Sequence, residues 1–187
     1  MIPNEPVVQQ LNSFILPIGF RGRSAVITQL WWLVQSTLFG LSPQFMFGWR
    51  RWLLKLFGAK IGQSVLIRPS VKITYPWKVS IGDYAWIGDD VVLYSLGEIE
   101  IGDNAVISQR SYLCAAGHDY KQPDFPIFDN KITIGSQAWL ATDVFIAPGI
   151  SIGRGTVVGA RSSVFADMPE GMICYGSPAK AVKPRIS

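Results

Sequence analysis

Residues 81–113 read IGDYAWIGDDVVLYSLGEIEIGDNAVISQRSYL, and an isoleucine or leucine heads each six-residue unit along them. The same period extends in both directions. Fifteen positions share an aliphatic side chain in this phase: Ile61, Ile67, Ile73, Ile81, Ile87, Leu93, Ile101, Ile107, Leu113, Ile134, Leu140, Ile146, Ile152, Val158 and Val164. Helices repeat every 3.6 residues and strands every 2, so neither accounts for a period of six. The pattern predicts short strands and tight turns, stacked as the coils of a repeat structure.

The repeat divides into coils of three units each. The coils begin at Ile61, Ile81, Ile101, Ile134 and Ile152. Between the third and the fourth coil the pattern is interrupted by residues 118–131, a polar stretch with two prolines. Such a stretch is typical of a loop, so we expect an inserted loop near 118–131 that leaves the rod at one corner.

Composition limits the class of protein and of site. With 187 residues and 49% hydrophobic content, the chain can form one globular unit. Two cysteines cannot build a disulfide framework, which favours a reduced, cytoplasmic protein. His118 is the only histidine, which excludes metal sites that need several imidazoles from one chain. We therefore expect no bound metal.

Charge is distributed unevenly along the chain. Residues 1–60 carry six basic residues and one acidic residue (+5), residues 61–170 carry eight and twelve (−4), and residues 171–187 carry three and none (+3). No basic stripe on a nucleic-acid-binding module is evident, so we expect no nucleic-acid partner. The basic ends indicate a smaller polyanion or an anionic membrane surface.

Residues 1–60 form an N-terminal segment that precedes the repeat domain of residues 61–187. Two short helices, over 26–41 and 43–57, fit best, with Ser42 capping the second, Pro43 in its first turn and Gly58 ending it. No cleavable signal peptide is evident in residues 1–10. The segment packs against the repeat or a neighbouring subunit, docks in a membrane interface through its tryptophans, or, as a third alternative, spans a bilayer.

The repeats resemble those of the hexapeptide-repeat acyltransferases, whose fold is a left-handed parallel β-helix, and the resemblance covers residues 61–185. Galactoside, maltose and nodulation-factor O-acetyltransferases carry a Gly-His pair where this chain has Gly117-His118. The resemblance implies an all-β fold and an acetyl-CoA-dependent enzyme in which His118 is the general base. Imidazole suits that task near neutral pH.

A closer resemblance is to the branch named for colanic acid biosynthesis. It rests on five stretches: Gly22–Ser24, Gln29–Trp32, Trp77-Lys78, Ile99–Gly102 and His118–Tyr120. It implies an O-acetyltransferase that acts on a sugar hydroxyl in exopolysaccharide or lipopolysaccharide biosynthesis. The family also implies a homotrimer with its sites between adjacent subunits.

The acceptor side of the site is less clear from the sequence. Asp119 binds an acceptor hydroxyl or caps the loop, and Tyr94 and Ser95 lie one coil earlier. The sugar acetyltransferases have an asparagine near this place, and the departure to Ser95 leaves the acceptor open. We take Tyr94, Ser95 and Asp119 as the candidate acceptor contacts.

The resemblance also implies where coenzyme A would bind. Trp139, Ala141 and Thr142 match positions near the thiol, whereas Gly159 and Ala160 match the groove for the pantetheine arm. Arg161 and Lys180 are candidate partners for the phosphates. Relatives carry Thr-Lys where this chain has Phe165-Ala166, so Arg161 is expected to take over that contact.

Other readings of the same residues stay open. One alternative is N-acetylation of a nucleotide-linked amino sugar, and another is a non-catalytic β-helix scaffold. Cys114 lies four residues before His118, which invites a Cys/His nucleophile, but the sequence around it offers nothing to stabilise a thiolate. Overall, we predict a cytoplasmic acetyltransferase that also works at the inner face of the membrane if its N-terminal segment docks there.

Overall fold

The computed structural model describes residues 7–186. The outermost parts of the predicted segments 1–60 and 61–187, and most of the stretch read for a signal peptide, lie outside the described residues. The chain begins with a short 3₁₀ turn, Leu11–Ser13, and then forms helix α1, Ala25–Val34, which continues as a π-helical turn over Gln35–Phe39. Helix α2 follows at Phe47–Leu56, and the described residues after it form strands and turns apart from a short 3₁₀ helix at Pro76–Lys78.

The repeat region is a three-sided solenoid of short parallel strands. Face A contains β1 (Lys60–Ile61), β4 (Val79–Ile81), β7 (Ile99–Ile101), β12 (Ile132–Ile134) and β15 (Ser151–Ile152). Face B contains β2 (Leu66–Ile67), β5 (Trp86–Ile87), β8 (Val106–Ile107), β13 (Trp139–Leu140), β16 (Val157–Val158), β18 (Met172–Gly176) and β19 (Ala179–Pro184). Face C contains β3 (Lys72–Ile73), β6 (Val92–Tyr94), β9 (Tyr112–Cys114), β14 (Phe145–Ile146) and β17 (Ser163–Val164).

The pairing of the strands confirms the predicted coils residue by residue. On face A, Ile61 pairs with Ile81, Ile81 with Ile101, Ile101 with Ile134, and Ile134 with Ile152. All fifteen repeat positions are buried in one core. An aliphatic side chain every six residues therefore fills a narrow core at each face of each coil, and this burial favours stacking over separate strands.

The corners of the solenoid are tight and force unusual backbone. The corner between faces B and C repeats a left-handed conformation in successive coils, at Asp90, Arg110, Asp143 and Arg161, with φ between 57 and 59°. The turn that follows strand β4 of face A leaves no space for a side chain at Gly82. A Cβ on Gly82 would lie 2.7 Å from the Asp103 backbone nitrogen. Only glycine fits that close approach.

Helix α1 covers the first edge of face C. The Trp31 indole donates to the Ile73 carbonyl (2.7 Å), and the Gln35 side-chain oxygen accepts from the Ile73 N–H (2.6 Å). These bonds satisfy backbone groups of β3 that no preceding coil can pair. The first predicted helix is confirmed in place but becomes a π-helical turn after Val34.

The start predicted for the second helix is wrong. It begins at Phe47 rather than at Pro43, because the Ser42 hydroxyl does not cap it. That hydroxyl donates to the Phe39 carbonyl (2.6 Å) and accepts from Arg50 (2.8 Å). Gly58, with φ of +92°, ends the helix as predicted.

Arg50 joins α2 to the first coil. Its guanidinium is fully buried and donates to the carbonyls of Ile67, Pro43 and Gln44. Burial lowers the pKa of Arg50, and the nearby charge of Arg68 lowers it further. Among the described residues, no carboxylate lies within ion-pair distance of Arg50. The carbonyl dipoles therefore compensate the buried charge of its guanidinium.

Neither helix in residues 7–186 has the length and apolar character that crossing a bilayer requires.

Candidate active site

His118 stands at the corner between faces C and A of the third coil, on a hairpin that projects from the solenoid. Strands β10 (Ala116–His118) and β11 (Ile127–Asp129) are antiparallel, with His118 opposite Ile127. The predicted inserted loop is thus present, but its arms pair as strands. Pairing satisfies backbone groups that an irregular loop would leave to solvent, and it gives His118 a fixed position.

Phe125 fixes the imidazole. Its carbonyl oxygen lies 2.8 Å from His118 Nδ1, and its ring stacks on the imidazole with centroids 4.3 Å apart and planes 8° apart. A carbonyl can only accept, so in the neutral ring Nδ1 carries the proton and Nε2 presents a lone pair. Phe125 itself is left-handed (φ 50°), a conformation that aims its carbonyl back at the histidine.

An N-terminal arm, residues 7–23, lies over this hairpin. The Gln10 N–H donates to the Pro123 carbonyl (2.6 Å), and the Phe14 ring sits 5.9 Å from the imidazole. Lys78 ties the arm's far end to the solenoid by donating to the Phe20 carbonyl (2.9 Å). Sequence reasoning missed Phe14 and Phe125, because nothing in the six-residue period links either of them to His118.

A concavity of about 580 Å³ opens beside the imidazole. It is lined by hairpin residues alone: His118, Asp119, Tyr120, Lys121, Gln122, Pro126, Ile127 and Phe128. The wall is more apolar than polar, and His118 is half-buried in it. The hairpin therefore forms one side of a cleft.

Asp119 serves the turn of the hairpin. One of its carboxylate oxygens accepts from the Lys121 N–H (3.0 Å) and the other from the Gln122 amide (2.8 Å). These bonds, the Gln122 bond above all, lower the pKa of Asp119. Of the two roles predicted for Asp119, the geometry favours the loop cap.

Ser95 does not have the geometry of an acceptor contact. It is completely buried, and its hydroxyl accepts from the Tyr75 N–H (2.8 Å) and donates to the Tyr75 carbonyl (3.0 Å). We therefore correct its predicted role: Ser95 ties two adjacent coils together. It replaces a backbone bond that the corner interrupts.

Tyr94 and Cys114 are cross-strand partners on face C, one coil apart. Burial raises the pKa of both groups, and the Cys114 sulfur contacts the Ala116 carbonyl. A raised thiol pKa keeps Cys114 protonated at neutral pH, so the structure does not support a Cys/His nucleophile. Tyr94 remains a candidate acceptor contact.

The candidate cofactor residues meet at the corner between faces B and C. The Ala141 N–H donates to Val158, the Gly159 N–H to Cys174 and the Arg161 N–H to Thr142, which stacks the row coil on coil. A Cβ on Gly159 would approach the Tyr175 Cβ to 2.9 Å, so this position must stay bare. Ala160 continues the row as the next residue of the same turn.

Trp139 and Lys180 lie on face B beside that corner. The Trp139 side chain is partly exposed, and its indole donates to the Ser108 hydroxyl (2.9 Å). Lys180 lies on β19, opposite Tyr175 on β18, at the end of the solenoid. The structure therefore places all seven candidate cofactor residues along face B and its edge with face C.

The cations of this corner differ in their freedom to bind phosphate. Arg110 makes a two-pronged bond to Asp143 (2.7 and 3.0 Å), which lowers the pKa of that carboxyl. Arg161 lies 3.9 Å from the same carboxylate, and its side chain is 85% exposed. Arg161 is thus the cation better placed to bind an external phosphate.

Another concavity, of about 370 Å³, lies lower on face B. Its apolar wall includes Phe47, Leu66 and Trp86, and its polar rim includes Arg68 and Asp89, which form an ion pair (3.2 Å). Trp86 is 55% exposed. Sequence reasoning did not include Trp86 among the candidate site residues; the available signal was its place directly before the repeat position Ile87, as Trp139 directly precedes Leu140.

One chain does not bring the two halves of the site together. His118 stands at the C–A corner, whereas the candidate cofactor residues follow face B and the B–C corner, so the full width of face C separates them. Within residues 7–186, no group of three histidine, cysteine or acidic side chains is arranged to hold a metal ion.

Comparison with known proteins gives several matches. No family model matches the chain. The protein named "Putative colanic acid biosynthesis acetyltransferase WcaF" from Escherichia coli (strain K12) is 59% identical over 179 residues, 96% of this chain and 98% of that protein. Galactoside O-acetyltransferase from the same organism is 28% identical over 137 residues, 72% of this chain and 68% of that protein.

Solved structures share the fold. Galactoside acetyltransferase in complex with coenzyme A matches with a TM-score of 0.79 and 22% identity, over 97% of this chain and 92% of that one. A variant of AntD, an N-acyltransferase from Bacillus cereus, in complex with dTDP-4-amino-4,6-dideoxyglucose and coenzyme A, matches with a TM-score of 0.62 and 26% identity, over 73% of this chain and 89% of that one. With its stacked coils and its 59% identity to an acetyltransferase over nearly the whole of both chains, this chain belongs to the hexapeptide-repeat acetyltransferase family.

Proposed function

We propose that this protein transfers an acetyl group from acetyl-CoA to a sugar hydroxyl in exopolysaccharide or lipopolysaccharide biosynthesis, with His118 as the general base. The observation that carries the proposal is the setting of His118. The Phe125 carbonyl holds Nδ1, so Nε2 is the free base, and it stands beside a cleft on a hairpin that the solenoid supports. The names of the relatives support acetyl as the transferred group and a sugar as the acceptor.

The chemistry follows from that geometry. Nε2 takes the proton of the acceptor hydroxyl as its oxygen attacks the thioester carbonyl. The new C–O bond forms and the C–S bond breaks, and the proton then passes from the imidazolium to the departing sulfur. Backbone N–H groups at the solenoid corners are the donors available to the oxyanion, so no second catalytic side chain is required.

His118 and the candidate cofactor residues lie on opposite sides of face C, and this separation favours a site shared between two copies of the chain. His118 from one copy would face Trp139, Ala141 and Thr142 from the next, which is the arrangement of a closed homotrimer. The groove at Gly159 and Ala160 would then hold the pantetheine arm, with Arg161 and Lys180 at the phosphates.

Candidate contacts for the sugar lie on both halves of such a site. On the histidine's half, Tyr94 lies one coil below the hairpin, and Asp119 supports the turn. On the opposite half, the Trp86 concavity offers an apolar platform with a charged rim, which suits a pyranose ring. We further propose that the enzyme works in the cytoplasm at the inner face of the membrane, where lipid-linked sugar precursors would be available.

The test is release of CoA thiol from acetyl-CoA with polysaccharide fragments or lipid-linked sugars as acceptors. His118→Asn should lower kcat by about 10²- to 10⁴-fold while coenzyme A still binds in calorimetry. Unchanged turnover in His118→Asn would overturn the role of the histidine. A wild-type protein that binds no coenzyme A would instead favour the scaffold reading.

Mixing two defective variants tests the shared site. The assay uses acetyl-CoA well below the wild-type KM, where a variant with a raised KM is slow. His118→Asn and Arg161→Gln, unfolded and refolded together, should then exceed the mean activity of the two separate variants, because one site in the mixed trimer has both native halves. No gain over the mean of the separate variants would indicate that one copy of the chain supplies both residues of each site.

N-acylation of a nucleotide-linked amino sugar is the second candidate, and the match to AntD with its bound amino sugar nucleotide favours it. A panel of paired acceptors, each amino sugar beside its hydroxyl counterpart, separates the two reactions. Faster turnover of the amines would replace the first proposal.

A further inference from the structure

The outer face of helix α1 is apolar. Val26, Leu30 and Leu33 are 76, 49 and 61% exposed, and their spacing places them on one side of the helix. The opposite side of the helix carries Trp31, which is buried against the solenoid. A helix that packs through one face usually presents polar residues on the other, and this one does not.

The exposed apolar surface continues beyond α1. Leu38, Leu41 and Phe45 lie in the connection between the helices and are 54, 81 and 80% exposed. On α2, Trp52 and Leu56 are one turn apart and are 53 and 63% exposed. We call these eight side chains the N-terminal apolar surface.

The two helices form one antiparallel unit. The Trp49 indole at the start of α2 donates to the Leu38 carbonyl (2.9 Å), and Trp31 packs on Phe57 at the other end (5.1 Å). Trp49 also stacks on Trp52 with centroids 5.1 Å apart. The apolar side chains thus belong to a rigid unit that the Arg50 bonds hold on the first coil.

The segment that carries this surface is basic. Residues 7–60 contain six arginines and lysines and neither aspartate nor glutamate. Arg50 is buried, which leaves Arg21, Arg23, Arg51, Lys55 and Lys60 with exposed surface. Tryptophan, exposed aliphatic side chains and flanking cations together match the chemistry of an anionic lipid surface.

A second copy of the chain fits this surface less well. Four of the twelve carboxylates in residues 61–170 that could attract its cations already form ion pairs within their own chain. Asp89 pairs with Arg68, Asp129 with Lys78, Glu100 with Lys131 and Asp143 with Arg110. Phosphate headgroups carry negative charge that no such intrachain pairing reduces.

We propose that the N-terminal apolar surface docks the enzyme on an anionic lipid bilayer, with α1 and α2 lying in the membrane interface. The inference deepens the proposed function, because the same segment reaches the active site. The arm of residues 7–23 leads from α1 to the hairpin, where Phe14 contacts His118. Docking would hold His118 near acceptors that are anchored in the bilayer.

Vesicle sedimentation tests the proposal without any assay of acetyl transfer. Wild-type protein should bind vesicles of phosphatidylcholine mixed with phosphatidylglycerol, and bind less at high salt because salt screens the cations. Vesicles of phosphatidylcholine alone should bind it weakly. Failure to bind the anionic vesicles would overturn the inference and leave the proposed reaction untouched.

Two sets of variants separate the apolar from the charged contribution. Leu30→Glu with Leu33→Glu should abolish binding, whereas Tyr84→Asp, which changes a similarly exposed side chain (48%) outside the N-terminal apolar surface, should not. Arg23→Gln with Lys55→Gln should weaken binding to anionic vesicles by about tenfold or more. Circular dichroism checks that each variant folds.

The second-copy reading is a distinct outcome of the same experiment. If the surface lies between subunits, Leu30→Glu with Leu33→Glu should lower the molecular mass measured by sedimentation, and the wild-type protein should not bind vesicles. This result would overturn the membrane inference. A protein that binds vesicles but releases no thiol with any acceptor would contradict the proposed function alone.

Discussion

The Phe125 carbonyl oxygen lies 2.8 Å from His118 Nδ1 while the two rings stack at 4.3 Å, so one residue sets both the tautomer and the plane of the imidazole. In many enzymes a carboxylate performs the first of these tasks. Here the backbone of the hairpin does so, through a residue in left-handed conformation. Asp119, which follows the histidine, instead stabilises the turn that brings Phe125 back.

Phe125→Asn should separate ring stacking from backbone geometry, since asparagine tolerates a left-handed conformation and keeps the carbonyl. We expect kcat to fall by about 10- to 100-fold because the imidazole loses its stacking partner and becomes misaligned. The KM for acetyl-CoA should not change. Tyr84→Asn, at another left-handed aromatic residue (φ 58°) on the solenoid, is the matched control. Equal kcat values for both variants would contradict a positioning role.

Asp119 offers a test of turn support against acceptor binding. Asp119→Asn keeps an oxygen for the Lys121 N–H, so activity should stay within about twofold of wild type, whereas Asp119→Ala should lose about tenfold or more. The pKa of Asp119 is lowered in the folded protein, so its stabilising contribution is present above its ordinary pKa and fades as pH falls through the folded value.

The protection factor of the Lys121 amide, which corrects for the pH dependence of intrinsic exchange, should therefore fall in wild type as pH is lowered through the acid range and change little in Asp119→Asn. If Asp119→Asn loses as much activity as Asp119→Ala, the carboxylate charge binds the acceptor.

The coil pattern could be predicted from the sequence because each six-residue unit makes the same contact. Ile81 and Ile101 occupy one phase, and the strand pairing places them side by side. Local periodicity is then sufficient to predict the coils, since every coil stacks on the one before it. The same reasoning located His118 at a corner, where the period breaks.

The rest of the site depends on contacts that no period encodes. Phe14 reaches His118 across more than a hundred residues, and the hairpin register depends on antiparallel pairing within the insertion. Ser42 looked like a helix cap, yet the buried Arg50 takes its hydroxyl. The sequence makes Ser95 a candidate acceptor contact, but it is buried at the corner and bonds to Tyr75. In each case a tertiary contact outweighs a local preference.

Arg161→Gln tests the cofactor side of the proposed site. Arg161 is exposed at the B–C corner, and its loss should raise the KM for acetyl-CoA by about tenfold, the contribution of one charge-assisted hydrogen bond, with little change in kcat. Arg154→Gln, which removes a charge from the A–B corner of the same coil, should leave the KM near the wild-type value. Equal effects of both changes would indicate a general electrostatic attraction rather than a phosphate contact.

Gly97→Ala tests whether close packing at the base of the hairpin holds His118 in place. A Cβ at residue 97 would lie 2.5 Å from the Ala115 carbonyl oxygen and 3.2 Å from the Asn130 backbone, the two residues that bond to each other at the hairpin's base. Overpacking of this kind costs about 1–3 kcal/mol, so the free energy of unfolding in urea should fall by that amount. The hairpin base must also open, so kcat should fall with it.

Gly48→Ala is the matched control for that change. Its Cβ would meet only the Arg51 guanidinium, at 3.8 Å, and it lies inside α2, where alanine is favoured over glycine by about 1 kcal/mol. We therefore expect Gly48→Ala to raise the free energy of unfolding and leave kcat unchanged. A Gly97→Ala protein as stable and as active as Gly48→Ala would show that the hairpin base has room to adjust, and that its close packing does not hold His118 in place.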